Sequence, residues 1–234
     1  MSSGVLTTSP AATASNSVVT AAVPGGERLS DVVLRLGDVP LSRIRVLPPV
    51  GCATEQDLLA REGEKPICEL VDAVLVEKAM GFYESRLAAV LLHFIEEYLD
   101  REDLGVVLGA DGLLRLRPGL VRAPDVAFIS WRRLPNRKLP AAAIPDLAPD
   151  LAVEILSRSN TAGEMERKLG EYLQAGAGLV WYIDSETRSA RVYTSLDSVQ
   201  VLAESDTLDG GAVLPGFEVP LRKLFERAGR RGAE

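Results

Sequence analysis

Arg122-Ala-Pro-Asp125-Val-Ala-Phe-Ile129 and Pro149-Asp150-Leu-Ala-Val-Glu154-Ile-Leu156 are two short apolar runs, each carrying one carboxylate, and a polar helix bearing Lys168 follows the second. Residues 126–129 read as a strand with an acid at its head. Residues 151–156 read as a strand with an acid at its middle, and the two-residue period puts Ala152 and Leu156 on the side of Glu154. A glutamate in such a run is costly to bury as an unpaired charge. It needs a cation, a hydrogen-bond network or a proton. Two readings stay open on spacing alone: Asp125 and Glu154 share a divalent metal, or they are salt-bridged to an arginine such as Arg122. Asp150 is four strand residues from Glu154, ~13 Å at ~3.3 Å per residue. That is too far to share one ion, so Asp150 reads as a strand-start residue.

A chain of 234 residues is long enough for one domain with a sizeable core plus an appendage. Its two cysteines, Cys52 and Cys68, make neither a disulfide framework nor a four-cysteine zinc site. The single histidine, His93, excludes zinc clusters built on several histidines, and it falls in a predicted amphipathic helix. A reducing, cytoplasmic setting fits this usage. The net charge of −7 argues against a general nucleic-acid coat protein. Yet residues 112–138 carry seven basic side chains, Arg122, Arg132 and Arg133 among them, against Asp125 alone. A basic segment bracketing the acid suits a phosphate-backbone substrate; a solvated loop is the plainer reading.

Residues 1–26 carry no charged side chain and are rich in Ser, Thr, Ala and Pro, so they read as a disordered tail without the basic start of a signal peptide. Residues 27–53 read as an arm docked against the main domain, 54–228 as that domain, and 229–234 as a tail. No apolar run is long enough to span a bilayer. Residues 67–78 read as a strand or a hairpin turning near Asp72-Ala73, with Glu69 near its start. Residues 84–100 form a clear amphipathic helix, with Glu84 in its first turn. Residues 104–108 and 112–116 are expected to pair as a hairpin around Asp111-Gly112. Thr161 opens the Lys168 helix in capping-box form. Residues 179–183 are a buried strand partnered by 190–194, 199–220 one more irregular hairpin, and 221–227 a short closing helix.

The order Glu69-Leu-Val-Asp72, an amphipathic helix, Arg-Ala-Pro-Asp125-Val, Pro-Asp-Leu-Ala-Val-Glu154-Ile-Leu-Ser157, Lys168…Tyr172…Ala-Gly176 and Val-Trp181-Tyr-Ile-Asp184 resembles the Uma2 family of endonucleases. That family is a branch of the PD-(D/E)XK, restriction-endonuclease-like superfamily. The resemblance covers roughly residues 54–194. It implies an α/β (α+β) fold with a mixed central sheet flanked by helices and the acids at one edge. It also implies Mg²⁺ or Mn²⁺ at Asp125 and Glu154. Leu156 stands where the superfamily motif has lysine, and Lys168 is the matching amine on the next helix. Glu69 fits a further family acid. The histidine often found before the first helix is missing, with Glu84 as a substitute.

The chemistry follows from the residue types. Carboxylate oxygens suit Mg²⁺, which binds through one or two acids plus substrate phosphate. Lys168 would hold the attacking water or offset charge on the phosphorane. Arg122, Arg132 and Arg133 are the candidate substrate contacts. The resemblance implies DNA as partner and a homodimer as the state that cuts both strands. Two other classes compete. One is an inactive nuclease-fold binding or regulatory module. The other is a hydrolase using the two acids on a non-phosphate substrate such as a glycoside.

Overall fold

The strand that carries Glu154 lies inside a six-stranded sheet, paired on both sides. The computed structural model describes residues 28–61 and 63–229. The expected tail at 1–26, and that at 229–234 apart from Gly229, lie outside the described residues. The elements run α1 (Leu29–Arg35), a 3₁₀ turn (Leu41–Arg43), α2 (Glu55–Leu59), β1 (Cys68–Val71), β2 (Val74–Glu77), α3 (Phe82–Glu102) and β3 (Gly105–Gly109). They continue with β4 (Leu114–Arg117), β5 (Leu120–Arg122), β6 (Val126–Ser130), β7 (Leu151–Leu156), α4 (Ala162–Gln174) and β8 (Leu179–Asp184). The chain closes with β9 (Ser189–Ser195), β10 (Ser198–Leu202), β11 (Thr207–Asp209), β12 (Glu218–Pro220) and α5 (Leu221–Ala228). No helix among the described residues is long and apolar enough to cross a membrane.

The large sheet has the order β10-β9-β8-β7-β6-β3 and is mixed: β7 and β8 are parallel, joined through α4, and the other pairs are antiparallel. Alternation along β7 divides its side chains between two layers. Leu151, Val153 and Ile155 join Leu91, Ile95, Trp181 and Phe225 in a core under α3 and α5. Ala152 joins Val180, Tyr182, Met165 and Tyr172 under α4. Glu154 shares the parity of Ala152 and therefore points to the α4 layer. Trp181 is core, against Phe217.

A second sheet, order β2-β1-β5-β4, is antiparallel. The hairpin β1–β2 turns at Asp72 and Ala73, both with positive φ, the two-residue geometry that matches strand twist. The expected pairing of 104–108 with 112–116 is not formed. The turn is there, with Gly112 N donating to Gly109 O, but β3 pairs with β6 in the large sheet and β4 with β5 in the small one. Local turn chemistry was right, and burial on two different cores separates the strands. Likewise residues 199–220 split, β10 joining β9 while β11 and β12 pair with each other.

The N-terminal segment holds α4 in place. Arg43 makes a buried two-pronged pair with Glu164, at 2.8 and 2.7 Å. Gly37, at φ +84°, packs so close to Gly163 that an added Cβ would lie 2.4 Å from its carbonyl carbon. Ile44 bridges to Val76 of β2. Asp72 takes both Arg35 (2.8 Å) and Arg167 of α4 (2.9 Å).

Candidate active site

Pro124 has no N–H to continue β5, and the short link Ala123-Pro124 carries the chain from the small sheet into the large one. Asp125 arrives there locked to β7. Its N–H donates to Val153 O at 2.9 Å, and its Oδ2 accepts from Ile155 N at 2.6 Å. The register pairs Val126 with Val153, so Asp125, one residue earlier, comes alongside Glu154 of β7. Both carboxylates are buried.

Each acid has its own amine. Lys78, just past β2, places Nζ 2.7 Å from Asp125 Oδ1 and also donates to Ala123 O at 2.6 Å. Lys168 donates to both Glu154 oxygens at 3.1 Å and lies 3.5 Å from Glu69. Tyr172, one turn along α4, donates to Glu154 Oε1 at 2.6 Å. Lys168 is only 2% exposed, so it is no solvated helix lysine. Behind this pair, Arg122 donates to Glu69 and to Glu171 at 2.7 Å each, and Ala123 N donates to Glu69 at 3.0 Å.

Lys78, Lys168 and Arg122 thus lie among four buried carboxylates, Asp125, Glu154, Glu69 and Glu171, the last also paired with Arg167 at 2.7 Å. Glu154 is an acid whose charge this setting disfavours. Burial, with the Asp125 charge alongside, pushes its carboxyl above the usual range against the pull of Lys168. Glu69 goes the other way. Burial opposes its charge, but Lys168 and Arg122 outweigh that and bring it down to about 2. Burial likewise works against the Lys168 ammonium, and Glu154 and Glu69 hold it above its ordinary value. Burial keeps the Tyr172 hydroxyl protonated and able to donate.

Of the residues expected from sequence, Asp125, Glu154, Lys168 and Glu69 come together. Arg122 joins them as the buried partner of Glu69 and Glu171, so it organises the acids and is not open to a substrate. Glu84 is buried at the start of α3 and accepts from Ser185 Oγ at 3.0 Å. Arg132 and Arg133 follow β6 at the far end of the sheet from Asp125. Arg133 is held by Asp150 (2.9 Å), and Arg132 is 87% exposed with Asp150 at 3.8 Å. Asp150 itself accepts from Ser130 N at 2.7 Å, a strand-start role. His93 is exposed on α3, beside Arg227.

Lys78 was not singled out as a site residue. Its only signal was its place at the end of the Glu69 hairpin, and which acid it meets depends on how two sheets join. Tyr172 had a readable signal, the four-residue step from Lys168 that puts both on one helix face.

The donor set fits a divalent ion. Asp125 Oδ1 is buried and accepts no well-directed hydrogen bond, its close partner being the Lys78 ammonium. A hard oxygen in that condition beside a second carboxylate suits Mg²⁺, which takes its other ligands from water and phosphate. Among the described residues no group of three His, Cys, Asp or Glu is set to hold a metal by itself. A cavity of about 540 Å³ opens on Lys78, walled by the start of α3 and by residues 65–67 and 110–111.

Residues 55–222 match the family model described as "Uma2: Putative restriction endonuclease". The fold is similar to the crystal structure of "a putative nuclease belonging to DUF820 from Anabaena variabilis ATCC 29413", with a TM-score of 0.65 and 18% identity, over 75% of this chain and 98% of that one. No curated protein matches the chain. The architecture is therefore restriction-endonuclease-like, a mixed sheet flanked by helices.

Proposed function

The chain belongs to the Uma2 family, and from that premise we propose a metal-dependent endonuclease that hydrolyses DNA phosphodiester bonds at Asp125 and Glu154. The observation that carries this reading is the side-by-side placement of two buried acids with a buried lysine on each. Asp125 and Glu154 would hold Mg²⁺ or Mn²⁺, which supplies a polarised phosphate and an acidified water. The chain's own residues do the rest. Ile155 N–H and the 125–153 backbone bond fix Asp125, and Tyr172 fixes Glu154. Lys168 offers donors to the charge that grows on phosphate oxygens as water attacks and the P–O bond to the leaving sugar breaks. Glu69 and Arg122 keep that ammonium oriented. Residues 54–228 form the nuclease unit, with 27–53 as its docking arm.

One observation favours a second reading, an inactive binding module: both acids already have lysine counter-charges and need no metal to be neutral. A plasmid-nicking assay separates the two. The nuclease reading expects nicking in Mg²⁺ or Mn²⁺ that EDTA abolishes and that Asp125→Asn and Glu154→Gln each remove. DNA binding without nicking in any metal supports the module. Nicking that survives EDTA contradicts both.

A further inference from the structure

We propose that Phe82 is a base-stacking residue, on whose ring an unpaired nucleotide of the substrate strand lies beside the cavity whose wall includes Lys78, the partner of Asp125. This rests on the nuclease reading and adds to it the state of the strand.

Phe82 is 93% exposed, more than any other large apolar side chain among the described residues. It is the first residue of α3, whose apolar face runs through Leu87, Leu91, Phe94 and Ile95. One turn on from Phe82 stand Ser85 and Arg86, both exposed, so the ring has no packing role. An aromatic ring left in water forgoes the gain that burial would return. Its place is what gives it a use. Phe82 shares the cavity of about 540 Å³ with Lys65, Lys78 and Ser85. Lys78, on the wall of that cavity, turns its ammonium inward to Asp125 at 2.7 Å. Asp111, on the same wall, is neutralised by Lys65 at 2.7 Å.

A flat π face beside the Ser85 hydroxyl and the solvent-exposed Lys65 ammonium matches a nucleotide. The base takes the ring and the phosphate draws Lys65 away from Asp111. Stacking of this kind accepts any base. A base inside a duplex has both faces covered by its neighbours, so Phe82 engages a single-stranded or frayed nucleotide.

The test is fluorescence anisotropy with a labelled thymidine oligonucleotide and with a duplex, in Ca²⁺, on wild type and on Phe82→Ala, Phe82→Leu and Phe82→Trp. The exposed position leaves the melting temperature of each variant unchanged. Wild type is expected to prefer the single strand, and Phe82→Ala to weaken that binding about tenfold with duplex binding unaltered. Phe82→Trp restores it, and the oligonucleotide quenches the new indole. Equal affinity of Phe82→Ala and wild type overturns stacking alone and leaves the nuclease standing. Rescue by Phe82→Leu as complete as by Phe82→Trp overturns it in favour of a merely apolar contact. Absence of binding to either probe by wild type removes stacking and the nuclease reading together.

Discussion

The Lys78 ammonium lies 2.7 Å from Asp125 Oδ1, and the pair is buried where the small sheet hands the chain to the large one. Lys78 comes from the end of β2 and Asp125 from the head of β6. The pair therefore ties the two sheets together at the point where the candidate chemistry sits.

Removing one partner of a buried ion pair leaves the other charge uncompensated, at a cost of roughly 3–5 kcal/mol. Lys78→Met is expected to lose stability on that scale. Millimolar Mg²⁺ should raise its melting temperature more than that of wild type, because an added cation takes over the duty at Asp125. Adding Asp125→Asn should restore stability and abolish the Mg²⁺ response. Thermal melts with and without Mg²⁺ check both.

Tyr172 and Lys168 hold the same carboxylate with different strengths. Tyr172→Phe deletes one hydrogen bond to Glu154 and should cost about 1.5–3 kcal/mol. Lys168→Met deletes the counter-charge shared by Glu154 and Glu69 and should cost more. In the nicking assay Tyr172→Phe keeps partial activity and Lys168→Met keeps none. Denaturant melts and initial rates on the two variants measure the ordering.

Glu69 makes stability depend on acid pH. Its pKa falls from an ordinary 4.5 to about 2 in the folded chain. A depressed carboxyl stabilises fully above its unfolded pKa and loses that contribution as pH falls through the folded one. The gap in unfolding free energy between wild type and Glu69→Gln should therefore be widest above about pH 4.5. It should narrow by on the order of 3 kcal/mol as the pH drops toward 2. Urea melts at pH 6, 4 and 3 follow it. A pH-independent gap would show that Glu69 carries no such linkage.

How much of this was legible follows from the range of each signal. Two-residue alternation put Glu154 in an apolar strand facing Ala152, and the capping box at Thr161 placed the start of α4. Both signals are local, though of the box only the Thr161 cap forms, the Glu164 carboxylate going to Arg43. That Lys168 is buried was not, because burial is decided by Glu69, which comes from another sheet. The Asp111-Gly112 turn was read correctly, but its flanking strands went to separate sheets, a choice made by tertiary packing. Lys78 escaped for the same reason.

Of the basic residues near Asp125 in sequence, Arg122 joins the acid cluster, while Arg132 and Arg133 lie at the other end of β6. Arg132→Ala should change neither stability nor nicking measurably, since its side chain is 87% exposed and reaches Asp150 only at 3.8 Å. Arg133→Ala should lower stability by about 1 kcal/mol or more through loss of its contacts with Asp150 and Gly176 O, with nicking per folded molecule unchanged. Melting temperatures read beside specific activities separate the two.

Calorimetric titration with Mn²⁺ of wild type, Asp125→Asn and Glu154→Gln tests the central claim most directly. The account predicts a binding isotherm for wild type that both substitutions abolish while each variant stays folded. An unchanged isotherm in either variant, or none in wild type, would contradict it and return the two acids to a structural role.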